Sequence, residues 1–254
     1  MTPADQRGPT TIGELVVAMQ HRLDALPPEQ GAARDFLDTY LRTTSAVATA
    51  IDAGVFEDGD WVERWDLAFA SLYLRALDAH LSDKGRPPRP WRLAFEAAPN
   101  LPALLNVLLG VNAHINYDLP QALLAVISDA DFGDPPLLSR RRRDHERIDA
   151  ILSDRVAAED VAISARSART LLDRALRPIN RWASRRFLRE ARQKVWTNTL
   201  ELSRARQSGD GAYATRIAEL ELLSAAKISD LLVPGQVLLR LAVAGFGVSL
   251  PPEG

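Results

Sequence analysis

Residues 101–127, LPALLNVLLGVNAHINYDLPQALLAVI, constrain the fold more than any other stretch of the chain. From Leu101 to Val111 the segment is apolar on every side. As a helix it has no face to offer water, so it must be buried all round and other helices must wrap it. Yet Asn112, His114, Asn116, Tyr117 and Asp118 fall in seven consecutive residues at its middle. A buried polar group without a partner costs roughly 1–3 kcal/mol. These groups must therefore satisfy one another or face a wet cavity. Pro120 removes one helical hydrogen bond and disfavours helical geometry at Leu119, which predicts a kink or break near 116–120. A broken buried helix lined with polar groups is a common way to build a ligand or ion site.

The remaining segments supply the wrapping helices. Thr11 and Glu14 read as a capping box before LVVAMQHRLDAL, which Pro27-Pro28 stop. A second helix fits about 31–53, closed by Gly54. A third starts at Asp60, with Glu63 three residues on, and runs to about 82. Its apolar face is Trp61, Trp65, Phe69, Leu72, Tyr73, Ala76 and Leu77, ending at His80. GRPPRP (85–90) is an extended connector before a short helix from Trp91 to about Ala97. Asn100 should cap the central element, with Pro102 in its first turn. After the break the element resumes to about 128, and DADFGDPP (129–136) reads as a loop. Helices follow over about 138–157, 159–176, 178–207 and 211–232, then a last apolar one over 236–244. No alternating strands, repeats or low-complexity segments stand out. The expectation is an all-α, single-domain helical bundle around a central buried, kinked helix. A flexible N-terminus would occupy 1–10, the domain 11–246 and a tail 247–254.

Composition narrows the function classes. Of 254 residues, 46% are apolar and 25% charged, which suits a soluble globular protein. A net charge of −2 argues against nucleic-acid binding through the whole surface. The absence of Cys removes disulfides, thiolate metal sites and Cys nucleophiles. The polar start, MTPADQRGPT, has no signal-peptide core, and no 18-residue stretch reads as a membrane span, so a cytoplasmic location is expected. There is no Gly-rich phosphate loop, no G-x-S-x-G elbow and no H-E-x-x-H.

The candidate site centres on His114 and Asp118. Four residues apart, they share a helix face and could bind one divalent ion or act as base and acid. His145 and Asp149 repeat the spacing in RDHERIDAIL. His80 continues the apolar face of its helix, Asp66 lies near Trp65 and Phe69, and Asn198 falls on the apolar arc of Ala183, Phe187, Ala191, Val195 and Leu202. The expected catalytic pair is His114 and Asp118. The expected metal set adds His145, Asp149 and His80. The expected ligand-binding set is Asn112, Asn116, Tyr117, Trp65, Tyr73 and Asn198. Plainer roles stand beside these. Asp118 could cap the helix that begins at Pro120. His114 could be a core histidine on a backbone carbonyl, and His145 could pair with Asp144 or Asp149. His80 could serve the helix dipole, and Asn198 could tie two helices together. A polar core network that fixes register would cover them all.

HINYDLP, preceded by LLGVNA, resembles the signature of a family of bacterial helical proteins of unknown function, common in actinobacteria and spanning nearly this whole length. The resemblance implies one domain and a central role for 112–118, and no activity. The H-x-x-x-D pair is also similar to that of zinc-dependent phospholipase C and related helical nucleases. Those have more metal-binding histidines than the four here, and an N-terminal Trp ligand that this chain lacks.

A basic stripe is the second feature. Arg166 to Lys194 holds ten basic residues against two acidic ones, a local +8 that leaves −10 for the rest. Arg181, Arg185, Arg189 and Arg192 fall on one face, with Trp196 close and Trp182 at the edge, and Arg140–Arg143 add another basic run. Arg beside an aromatic ring can hold an anionic partner. An acidic neighbouring helix, such as 211–230 with Glu219 and Glu221, would account for the stripe equally well. Three functions are thus expected to compete. One is a metal-assisted or acid/base enzyme, a hydrolase or lyase acting on a small or lipid-like molecule. The second is a non-catalytic binding protein for an apolar or anionic molecule, lined by Trp61, Trp65 and Tyr73. The third is an interaction protein using the Arg/Trp face.

Overall fold

The computed structural model describes residues 8–82, 85–148, 151, 171–233 and 245–252, with the backbone alone over 171–189. It is all-α: no strand occurs among the described residues. The helices are α1 (Ile12–Ala25), α2 (Gly31–Asp52), α3 (Gly59–Leu81), α4 (Arg89–Phe95), α5 (Ala103–Ala113), α6 (Leu119–Val126), α7 (Asp129–Phe132), α8 (135–148), α9 (Leu171–Ser208) and α10 (Asp210–Leu232). None of them is long and apolar enough to cross a membrane.

The central element is α5 followed directly by α6, packed among α2, α3, α4, α9 and α10. Of the kink or break expected near 116–120, no break occurs. Residues His114–Asp118 instead form a single π-helical turn, in which the Leu119 N–H bonds the His114 carbonyl five residues back. Leu119 keeps helical angles (φ −62°, ψ −41°) despite preceding Pro120. The physical reason is local. A proline ring clashes with the carbonyl four residues before it, and a widened turn moves that carbonyl aside without ending the helix. All five side chains of the turn are buried.

Other boundaries shift for equally local reasons. Asp58, not Asp60, caps α3, accepting from the Trp61 N–H at 3.0 Å. Glu63 instead accepts the Ile12 N–H at 2.8 Å, tying α3 to the start of α1. Thr11 caps α1 as expected, but the Glu14 carboxylate reaches Thr10 rather than completing the box. Asn100 caps nothing: Pro102 precedes α5 without a side-chain cap. The stretch expected as a loop at 129–136 begins with α7, closed by a capping box between Ser128 and Asp131. Helix α9 runs unbroken through Pro178, where a boundary was expected; one missing hydrogen bond does not end a helix anchored over many later turns. The helix expected over 159–176 lies largely outside the described residues, and that over 236–244 wholly so.

Two glycines allow close approach. A Cβ at Gly110 would lie 2.4 Å from the Phe36 ring, so only glycine lets that ring rest on the backbone of α5. Gly247 lies against α9, where a Cβ would come within 2.8 Å of the Ala191 Cα. The segment 245–252 is therefore docked, with Phe246 and Leu250 buried.

Candidate functional site: the two faces of the His114–Asp118 turn

His114 and Asp118 meet as their spacing predicts. His114 Nδ1 lies 2.9 Å from Asp118 Oδ2, and the Trp91 indole N–H of α4 donates to the same oxygen at 2.8 Å. Asp118 stands at the N-cap position of α6 but makes no side-chain capping bond. The two residues are 3% and 1% exposed. Burial pushes the carboxyl well above its ordinary range, against the Trp91 hydrogen bond, and the imidazole well below its own. The pair is thereby kept from carrying two charges, and His114 stays unprotonated at neutral pH. If Asp118 is ionised, Nδ1 donates to it and Nε2 is an acceptor. If Asp118 is protonated, Nδ1 accepts and Nε2 bears the hydrogen. Either way Nε2 is buried and has no hydrogen-bond partner.

Aromatic rings surround His114. Phe69 stacks on it at 3.5 Å, and Tyr40, Phe36, Trp91 and Tyr73 stand at 4.6, 5.8, 5.8 and 6.0 Å. Among them the Tyr40 and Tyr73 hydroxyls, Thr44 Oγ1 and Asp66 Oδ2 are also buried without a partner. Burial pushes the Asp66 carboxyl up to about 7. Burial also holds the Tyr40 hydroxyl well above its usual value, helped by the Asp66 and Asp118 carboxyls. Spacing along α3 brings Trp65 and Tyr73 inward as expected, but no sequence signal linked Trp91 to Asp118 or singled out Tyr40 and Thr44.

The opposite face of the same turn is fully bonded. Asn116 donates to Asn112 Oδ1 (2.9 Å) and to the Phe246 carbonyl (3.1 Å), and accepts from the Val248 N–H (3.3 Å). Asn112 also donates to the Leu108 carbonyl. Asn198 on α9 donates to the Val248 carbonyl (3.0 Å) and accepts from the Leu250 N–H (2.9 Å). Lys194 and Arg216 add bonds to the Gly247 and Pro251 carbonyls. Of the Asn residues expected to contact a ligand, Asn116 and Asn198 clamp the C-terminal segment, and Asn112 holds Asn116 in place. Tyr117 packs with Leu124, Leu202, Leu220 and Leu250, away from the His114 cluster.

The remaining candidates do not converge on His114. The His145 ring lies 5.4 Å from Trp65 and 5.6 Å from Trp196, with Nε2 buried and unpartnered. It does not pair with Asp144, which accepts the Glu57 and Asp58 N–H groups and caps the approach to α3. Asp149 lies outside the described residues. His80 Nε2 bonds Gln30 Oε1 at 3.0 Å and its ring stacks on Phe95. No three His, Asp or Glu side chains among the described residues stand close enough to hold a metal ion. Arg192, expected on an open cationic face, is buried: it donates to the His145 carbonyl and covers the Trp65 ring. The side chains of Arg181, Arg185 and Arg189 lie outside the description. Arg140–Arg143 pair with Asp58, Glu57 and Glu146, which acts as a charge lock between α8 and the start of α3.

A family model described as a family of unknown function, DUF5995, matches residues 12–234. The chain belongs to DUF5995. That family assignment covers the His114–Asp118 turn and the helices that wrap it, and stops short of the docked segment 245–252. Comparison with curated proteins finds no match. Comparison with solved structures likewise finds none.

Proposed function

We propose that this DUF5995 chain is an acid–base enzyme acting on a small or lipid-like molecule held inside the bundle. His114 is the proton-transfer group, and Asp118, fixed by Trp91, orients it. One observation carries the reading: His114 Nε2 is buried, opposite an oriented carboxyl, and unpartnered. Leaving such an atom unbonded costs roughly 1–3 kcal/mol, which a protein tolerates where a ligand completes the bond. An imidazole kept neutral and held by a carboxyl is the arrangement general-base chemistry uses. The acid–base form is preferred to a metal-assisted one because, of the other expected metal ligands with described side chains, His80 is bonded to Gln30 and His145 lies beside Trp65 and Trp196 rather than at His114. The ring-lined surround of His114 also suits a binding protein that does no chemistry.

The test compares wild type with His114→Gln and Asp118→Asn on panels of uncharged esters, amides and hydroxy-carbonyl compounds, alongside nitrogen-15 NMR of His114. The expected result is turnover that falls by about 100-fold or more in both variants, with a neutral His114 ring across neutral pH. Turnover that survives both variants, or an imidazolium signal at pH 7, overturns the reading. A bound compound with no turnover, unaffected by His114→Gln, is the signature of the binding-protein alternative. Elemental analysis of the same three proteins reads the metal-assisted form directly.

A further inference from the structure

Helices α2 and α3 bring a second polar wall up to the His114 ring. Asp66, Phe69 and Tyr73 are three and four residues apart and so share one face of α3. Phe69 and Tyr73 on that face both pack against Tyr40 of α2, at 6.1 and 5.7 Å between ring centres. Thr44 lies one turn beyond Tyr40 on the same face of α2. Tyr40 and Asp66 are each 6% exposed and Thr44 is 0% exposed, and Tyr40 OH, Thr44 Oγ1 and Asp66 Oδ2 have no partner. The Thr44 hydroxyl lies near that of Tyr40 without reaching full hydrogen-bond geometry, and Asp66 Oδ2 is bonded to neither, whereas a network built only to fix helix register would bond all three.

We propose that Asp66, Tyr40 and Thr44 form the recognition wall of the His114 site, and that its ligand is one uncharged carbonyl compound that also carries an N–H or O–H group. The inference rests on reading the His114 cluster as a ligand site, and it adds what that ligand must be. An anion at this wall would meet the carboxyls of Asp66 and Asp118. Among the described residues no cation is turned onto it: Arg141 is committed to Asp58, Arg192 bonds the His145 carbonyl, and Arg75, whose charge reaches Asp118, is exposed and bonds Ser71. A cation would require Asp66 to ionise in a fully enclosed position, which burial opposes. Asp66 as an uncharged acid both donates and accepts, and so matches an amide or hydroxy-carbonyl through two coplanar hydrogen bonds. Its carboxyl, held up to about 7 by burial, has that form at and below neutral pH.

The probes are benzamide, benzoate and benzamidinium, three planar molecules of one shape and three charges. Each is titrated by ligand-observed NMR into the full chain at about pH 6, where the acid form of Asp66 dominates. Benzamide should bind saturably and about tenfold or more tighter than either charged analogue, because only it escapes an uncompensated buried charge. Asp66→Asn, a neutral isostere with a donor and an acceptor, should keep benzamide within about threefold of wild type, whereas Asp66→Leu should weaken it about tenfold or more. Benzoate or benzamidinium binding as well as benzamide, an unchanged Asp66→Leu, or no saturable binding by any probe overturns the proposal. Should Asp66→Leu lose its helical circular dichroism, Tyr40→Phe carries the same test: weaker benzamide binding supports the wall, and unchanged binding overturns it. The two readings fail separately. Benzamide selectivity without any His114-dependent turnover sinks the acid–base reading alone. His114-dependent turnover with benzamide binding indifferent to Asp66 sinks this one alone.

Discussion

The two faces of one helical turn treat buried polar groups in opposite ways. On one side, Asn112, Asn116 and Asn198 spend their amides on each other and on the segment 246–250. On the other, four residues around His114 keep an unbonded polar atom each: Tyr40, Thr44, Asp66 and Tyr73. Both faces are equally dry, so burial alone does not separate them. Completion does. A satisfied network holds a fold together, while an unsatisfied one is a standing destabilisation that a bound molecule would relieve. The contrast fits a structural role for the Asn clamp, and it is the ground on which a ligand is proposed for the His114 side.

Substitutions can break or sharpen that contrast. The largest effect is expected at Asp66 and depends on pH. Its folded pKa of about 7 stands above an unfolded value of about 3.9, so the native state holds this proton more tightly. The stability that the group contributes is fully present below about pH 4 and is lost as pH rises through about 7. Asp66→Asn, which cannot ionise, should therefore match wild type in acid and exceed it by up to about 4 kcal/mol in alkali, read by urea unfolding across pH. A constant difference between the two proteins would mean that Asp66 is not held as a buried acid. His114 and His145 act in the other direction: burial lowers both, so their contribution is present above about pH 6.5 and lost below it. They are common to both proteins and cancel in the comparison.

Next in size is Asn116→Leu. It removes three hydrogen bonds to Asn112 and the docked segment, and about 3 kcal/mol of stability should go with them. Hydrogen exchange should show Val248 losing protection. A loss under about 1 kcal/mol would deny the clamp its structural role. The smallest effect is expected at Tyr40→Phe. Its hydroxyl has only a weak contact with Thr44 to lose, so stability should stay within about 0.5 kcal/mol of wild type or rise slightly. A loss as large as that of Asn116→Leu would place Tyr40 in the structural network and erase the difference between the two faces.

Much of this was legible in the chain. Helical spacing on α3 identified Trp61, Trp65, Tyr73 and Leu77 as core, and all four are buried. The four-residue spacing of His114 and Asp118 predicted their meeting, because one helix carries both. The apolar run from Leu101 to Val111 predicted a central element, since nothing but other helices can cover such a segment. Pro120 predicted a kink or break, and the backbone there takes a widened turn that moves the clashing carbonyl aside without ending the helix.

What local pattern could not reach was everything that joins distant segments. Trp91 meets Asp118 across 27 residues, and Asn116 meets Phe246 across 130. Arg192 looked like part of an open cationic face and is turned inward onto Trp65 and the His145 carbonyl. Periodicity says which face of a helix is buried but not what lies opposite, and a polar side chain's role is set by what lies opposite. Sequence alone thus determined that this chain would build a helical bundle with polar groups at its centre. Only tertiary packing decided which of those groups found partners and which were left open, because a hydrogen bond is made or lost over distances far smaller than any spacing along the chain can specify.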